Sequence, residues 1–229
     1  MVEAKIKNQK ANAALDTEEE PEPFDLEGWT ESFTEQNPKI DPKRIKYVTT
    51  YGIYSGERDE LQVRNGQGKY YAANGDRYVG EYEEGLRNGQ GLYEYRSLGA
   101  NRVDELVHQL QDETILKLIS EENFDEAAKY VISTLQQRAE HEASLPKKTK
   151  EFQLPPDALS STMRVYYTLQ FGTPYPFYDG EFKNNANEGQ GIMKYQNGNV
   201  YKGEWAQGQK EGFGVLYYST GDVYRGEWS

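Results

Sequence analysis

The chain has 229 residues, of which 28% are charged, a formal net charge of -12 and a mean hydropathy of -0.94. That acidity argues against nucleic acid or an anionic membrane as the main partner, since both would repel most of the surface, and the charge content is high for one compact core. The absence of cysteine excludes disulfides, thiolate metal sites and thiol nucleophiles and points to a reducing cytoplasm, and no stretch approaches the ~20 apolar residues that cross a bilayer.

Residues 1–43 are polar and acidic, with Glu18, Glu19 and Glu20 followed by Pro21 and Pro23, and no helical or strand period persists. The composition predicts a disordered arm. Within it Phe24, Leu26, Trp29 and Phe33 form a small cluster of large apolar side chains; Phe24, Trp29 and Phe33 are candidate anchors for a partner, against the plainer reading that they pack on the chain's own fold.

Residues 44–100 hold a leading segment, Arg44 to Gly52, and the first of two glycine-rich blocks. Its β-branched and aromatic content predicts a strand. The tetrapeptide Tyr-x-Gly-Glu then begins at Tyr54 and Tyr78, and again at Tyr178, Tyr201 and Tyr224. A unit of 23 or 24 residues is thus repeated, interrupted once and resumed, which is the signature of a repeat fold.

Residues 101–163 interrupt the repeats. All glycines except Gly28 lie in 52–99 or 172–226, so the insert has none. Val103, Leu106 and Leu110, then Ile115, Leu118 and Ile119, then Phe124, Ala127, Ala128, Val131, Ile132 and Leu135 recur at helical spacing. The expectation is a helical hairpin turning near Ser120 to Asn123, with Asn123 and Glu126 as a capping pair. Its acidic residues speak against a membrane-lying helix, and its apolar stripe is expected to pack on the chain itself rather than on a partner. Pro146, Pro155 and Pro156 read as the extended link back to the repeats.

Residues 164–229 begin with Arg164 to Gly172, which matches the first leading segment in its Arg, β-branched, Tyr and aromatic-Gly positions and is likewise expected to be a strand. Two related modules, each a leading strand followed by hairpins, would result. Within a unit, residues two apart share a face of the strand, so Tyr201, Gly203 and Trp205 point one way, with Gly212, Gly214, Leu216 and Tyr218 on the returning strand. Glycine in a strand costs roughly 0.5–1 kcal/mol relative to alanine, and here it is expected to make room for rings lying across the backbone.

The other face carries Glu57, Glu81, Glu181, Glu204 and Glu227. Successive copies two strands apart are ~10 Å from one another, too far for acid-base pairing, so hydrogen bonding across the turn or a polar docking face is expected. Gly66-Gln67-Gly68, Gly89-Gln90-Gly91 and Gly189-Gln190-Gly191 precede no helix that could hold a phosphate. His108 and His141 are too few for a zinc site without cysteine. No catalytic residue, cofactor or metal is expected.

The pattern of Tyr-x-Gly-Glu-aromatic, Gly-x-Gly and a closing glycine turn resembles the MORN repeat, the membrane occupation and recognition nexus motif. The resemblance covers about 48 residues of the first block and about 52 of the second. The first unit departs from it, with Arg58 where the others have Tyr82, Phe182, Trp205 and Trp228 and an extra residue before Gly66, as in a capping copy. The resemblance implies a mainly β fold: one elongated sheet of consecutive hairpins interrupted by the α-helical insert, with the disordered arm ahead of it. It further implies a non-enzymatic scaffold or adaptor whose groove holds a peptide, a helix or lipid headgroups, with Tyr78, Tyr82, Tyr178, Phe182, Tyr201, Trp205, Tyr224 and Trp228 as candidate binding residues. Small acidic members with helical or disordered extensions resemble radial spoke head proteins, which implies the axoneme of a cilium or flagellum and partners within a multi-subunit assembly. A peripheral membrane or phosphoinositide-binding module, using the rings and Lys147, Lys148 and Lys150, is the alternative. A last strand unpaired at the C-terminal edge is a further candidate site, for self-association or a partner.

Overall fold

The computed structural model describes residues 52–110, 112–144 and 160–229. The arm with Phe24, Trp29 and Phe33, the leading segment from Arg44 to Tyr51 and the lysines at 147, 148 and 150 lie outside the described residues.

Nine strands form one antiparallel sheet in which every strand pairs with its neighbours in sequence. They are β1 (Ile53–Arg58), β2 (Arg64–Tyr71), β3 (Arg77–Glu83), β4 (Leu86–Glu94), β5 (Phe177–Lys183), β6 (Ala186–Lys194), β7 (Val200–Ala206), β8 (Gln209–Tyr217) and β9 (Val223–Trp228). The register follows one rule: Gly56, Gly68, Gly80, Gly91, Gly180, Gly191, Gly203, Gly214 and Gly226 stand opposite one another in turn, a straight column of glycines across the whole sheet. The rule holds between β4 and β5, although the insert separates them in sequence. The two blocks are therefore one continuous sheet rather than two modules.

Among the described residues four α-helices lie between β4 and β5: α1 (Arg102–Gln109), α2 (Glu113–Ser120), α3 (Phe124–Ser144) and α4 (Thr162–Phe171). The turn after Ser120 stands at the expected place, but the expected first helix is divided in two. Asn101 caps α1 by accepting from Val103 N–H, and Asp112 caps α2 by accepting from Ile115 N–H, so the second cap starts a separate helix. Glu126 pairs with Lys129 instead of capping.

The expected second leading strand is the clearest correction. Residues 164–171 lie within α4, capped by Ser161, which accepts from Arg164 N–H, and stopped by Gly172 in the left-handed conformation at φ 60°. Aromatic and β-branched content favours a strand, but tertiary burial overrides it: Val165 and Leu169, four residues apart, enter the helical core, while Tyr167 enters the contact with the sheet. The helical core is the chain's own, with Val103, Val107, Ile115, Ala127, Ala128, Val131 and Leu135 closed on Val165 and Leu169. The apolar stripe of the insert thus packs on itself.

Through α4 the helical layer packs on one face of the sheet, over strands β4 to β8. Tyr167 packs with Phe177, Ile192 and Val200, and the Phe171 and Phe177 rings lie 4.5 Å apart. The opposite face holds the aromatic residues of the repeats.

Candidate functional site: the aromatic face of the sheet

The face opposite the helices is built by one operation repeated along the glycine column. Tyr201 lies flat over Gly203 of its own strand and Gly214 of the next: a Cβ at Gly214 would sit 2.5 Å from Tyr201 Cε2 and 2.6 Å from Cζ. The hydroxyl reaches past the glycine and donates to the Glu204 carbonyl at 3.0 Å. Tyr54, Tyr78, Tyr178 and Tyr224 repeat this bond to the carbonyls of Glu57, Glu81, Glu181 and Glu227.

Between the tyrosines stand the aromatic residues that follow each Tyr-x-Gly-Glu. Tyr54, Tyr82, Tyr78, Phe182, Tyr178, Trp205, Tyr201, Trp228 and Tyr224 form an unbroken edge-to-face ladder, with centroids 5.0–5.3 Å apart and planes at 84–89°. That geometry places the positive edge of each ring against the negative face of the next. Arg58, where an aromatic residue would stand, holds its guanidinium 4.8 Å from the Tyr54 centroid and closes the ladder with a cation.

Of the residues singled out from the sequence, Tyr78, Tyr82, Tyr178, Phe182, Tyr201 and Trp205 are buried, at 0–6% exposure. They are the spine of the sheet, and a ligand would touch only what lies above them. Tyr224 is 43% exposed, and Trp228 is half-buried at the β9 edge. Burial raises the pKa values of the Tyr78, Tyr82, Tyr178 and Tyr201 phenols above the ordinary one, to about 12 for Tyr82; for Tyr178 desolvation acts first and the neighbouring Glu181 charge adds to it. The hydroxyls are thus neutral donors at physiological pH.

The carboxylates behave as hydrogen-bonding groups across the turn. Glu57, Glu181 and Glu204 accept from the backbone N–H of Gln67, Gln190 and Phe213. Gly212, at φ 55°, takes a conformation that L side chains rarely adopt, and a Cβ there would meet the Glu204 carboxylate, 2.8 Å from Cδ. Gly66, Gly68, Gly89, Gly91, Gly189 and Gly191 lie within strands. His108 lies in α1 and His141 in α3. Among the described residues no group of acidic or histidine side chains is placed to hold a metal ion, and no helix is long and apolar enough to cross a membrane.

The MORN repeat model matches residues 63–77, 78–99, 178–200 and 201–223. Four stretches of the chain thus match the MORN repeat. They span β2, β3–β4, β5–β6 and β7–β8, while β1, with its Arg58, precedes the first match. No curated protein matches the chain. A match to this repeat suggests a protein- or membrane-binding repeat module.

Sequence reasoning missed a second set of residues on this face. Arg64 lies 4.7–5.8 Å from the centroids of Tyr54, Tyr70 and Tyr82, and Arg87 the same order from Tyr78, Tyr93 and Phe182. Lys210 is 4.4 Å from the Trp228 ring and 5.0 Å from Tyr201. The signal was present: Arg64, Arg87, Asn187 and Lys210 each stand two residues before a Gly-x-Gly.

A buried charge cluster on the other face was also missed. Asp104 of α1 receives Arg164 Nε at 2.9 Å and Nη2 at 3.2 Å and the Thr168 hydroxyl at 3.1 Å, with Lys194 Nζ of β6 3.1 Å away. The ammonium is at ion-pair distance but makes no hydrogen bond of good geometry. Desolvation pulls the Lys194 pKa down to about 8, against the Asp104 charge, which raises it. No local signal reveals this cluster, because its members are 60 and 90 residues apart.

Proposed function

We propose that the chain is a non-enzymatic scaffold that docks a protein partner on the aromatic face of its MORN sheet. The observation that carries this reading is the asymmetry of the sheet: on one face the chain's own helix α4 packs over the strands from β4 to β8, whereas the aromatic cluster of the other contains only strand residues together with Tyr95 and Tyr195, which follow β4 and β6. A rigid sheet held by interlocked rings keeps docking residues at fixed spacings, as an assembly component requires.

The setting proposed is a cytoskeletal assembly, the axoneme of a cilium or flagellum, with other subunits of that assembly as partners. Its support is the resemblance of small acidic repeat proteins of this build to radial spoke head proteins. Proximity labelling with the full chain in ciliated cells tests it. Enrichment of axonemal proteins is expected; enrichment of plasma-membrane proteins, together with salt-sensitive sedimentation on anionic vesicles, would replace the scaffold by the membrane module.

A further inference from the structure

Three cations line the aromatic face at one repeated position. Arg64 on β2, Arg87 on β4 and Lys210 on β8 are half-buried over rings, and Arg58 stands beside them at the sheet's first strand. Asn187 occupies the same position on β6. None of the four cations forms an ion pair among the described residues. Their acceptors are neutral: Arg58 donates to the Gln62 carbonyl, and Arg87 to the carbonyl and Oδ1 of Asn185. In a chain with 38 acidic and 26 basic residues, a row of basic residues left without carboxylates runs against the composition.

We propose that this row receives an acidic peptide segment of a partner, laid across the strands with its carboxylates on Arg64, Arg87 and Lys210. The proposal rests on the protein-docking reading above and names the chemistry of the partner. Strands are ~4.8 Å apart, so Arg64 and Arg87 are about 10 Å from one another and Lys210 about 20 Å farther along. An extended peptide advances ~3.3 Å per residue, so carboxylates three residues apart meet the two arginines and one about six residues on meets the lysine. A guanidinium stacked on a ring still presents its edge donors, and carboxylate is the acceptor that matches them two at a time. The rings supply apolar contact between the charges.

The same observations disfavour a bilayer as occupant. Six of the nine ladder rings are buried in the sheet at 0–6% exposure and cannot insert, the cations form a single file, and the net charge of -12 repels an anionic surface.

The test is a display selection of random 16-residue peptides on the full chain, repeated on a variant with Arg64→Gln, Arg87→Gln and Lys210→Gln and on an Arg225→Glu control. Arg225 is exposed on β9 and, by strand alternation, on the opposite face. Enriched peptides are expected to be acidic with carboxylates at three-residue intervals. Their affinity should fall at least tenfold in the triple variant and at least tenfold between 50 and 500 mM salt, and stay within twofold in Arg225→Glu. Far-ultraviolet circular dichroism checks the fold, and if the triple variant unfolds, Lys210→Gln alone is used with a threefold loss expected. Enrichment of neutral or basic peptides, or equal binding to the variants, overturns the acidic partner while leaving protein docking standing. Failure to enrich any peptide, with binding to vesicles of phosphatidylcholine containing one fifth phosphatidylserine that the same variant abolishes, overturns both readings.

Discussion

Replacing Gly214 by alanine isolates the packing rule on which the sheet is built. The backbone there is ordinary extended strand, so the added methyl brings no torsional strain; it meets the Tyr201 ring at 2.5–2.6 Å and must expel it. Tyr201 is fully buried, donates to the Glu204 carbonyl, and packs edge-to-face with both Trp205 and Trp228. Losing the hydrogen bond costs about 1 kcal/mol, and losing two aromatic contacts costs about 1 kcal/mol each. The total of about 3 kcal/mol corresponds to a fall in Tm of roughly 6–12 °C for a domain of this size. The comparison is Gly208→Ala, at φ 82° with no atom within 4 Å of the added carbon, where only the left-handed backbone penalty of about 1 kcal/mol applies. Thermal and urea unfolding, followed by circular dichroism and by tryptophan fluorescence, measures both. A Gly214→Ala protein as stable as wild type, or no less stable than Gly208→Ala, would refute the ring-on-glycine account.

Asp104→Asn leaves Arg164 and Lys194 buried without their counter-charge and should cost about 3–5 kcal/mol, whereas Lys194→Met removes a buried ammonium that makes no good hydrogen bond and should be neutral or stabilising by urea unfolding. Because the folded Lys194 pKa is about 8 and lies below its unfolded value, the unfolded chain binds the extra proton between pH 8 and 10, so stability should rise across that window by on the order of 2 kcal/mol in wild type and not in Lys194→Met. Above pH 10 the sign reverses: the buried tyrosines, Tyr82 and Tyr93 among them at about 12, resist ionisation that the unfolded chain undergoes, and stability should fall. Glu204→Gln keeps an acceptor for Phe213 N–H and should change Tm by less than 2 °C, the loss being that of one charge-assisted hydrogen bond at a partly exposed turn.

Much of the sheet was legible because each unit states its own geometry. Tyr, Gly and Trp two residues apart fix which side chains share a face, and strand glycines make sense only where a ring fills the space, so the spacing alone contains the Tyr201–Gly203–Gly214 arrangement. The Glu204 bond across the turn follows from the same alternation. The helix α4 was not legible in this way. Tyr166, Tyr167 and Phe171 look like strand residues, and only two separate surfaces, a helical core for Val165 and Leu169 and a sheet for Tyr167, make helical spacing the better burial.

The sequence by itself therefore determined the repeat, its period, which rings and glycines share a face and the packing of a ring on the glycine of the next strand, because contacts within and between adjacent strands of one unit are local and recur with the unit. Tertiary structure alone decided that β4 pairs with β5 across the insert and so joins the glycine column and the ladder into one, that α4 packs on one face with the ladder on the other, and that Asp104, Arg164 and Lys194 meet in the interior. Each of these depends on residues distant in the chain, whose pairing is set by burial and charge compensation rather than by spacing.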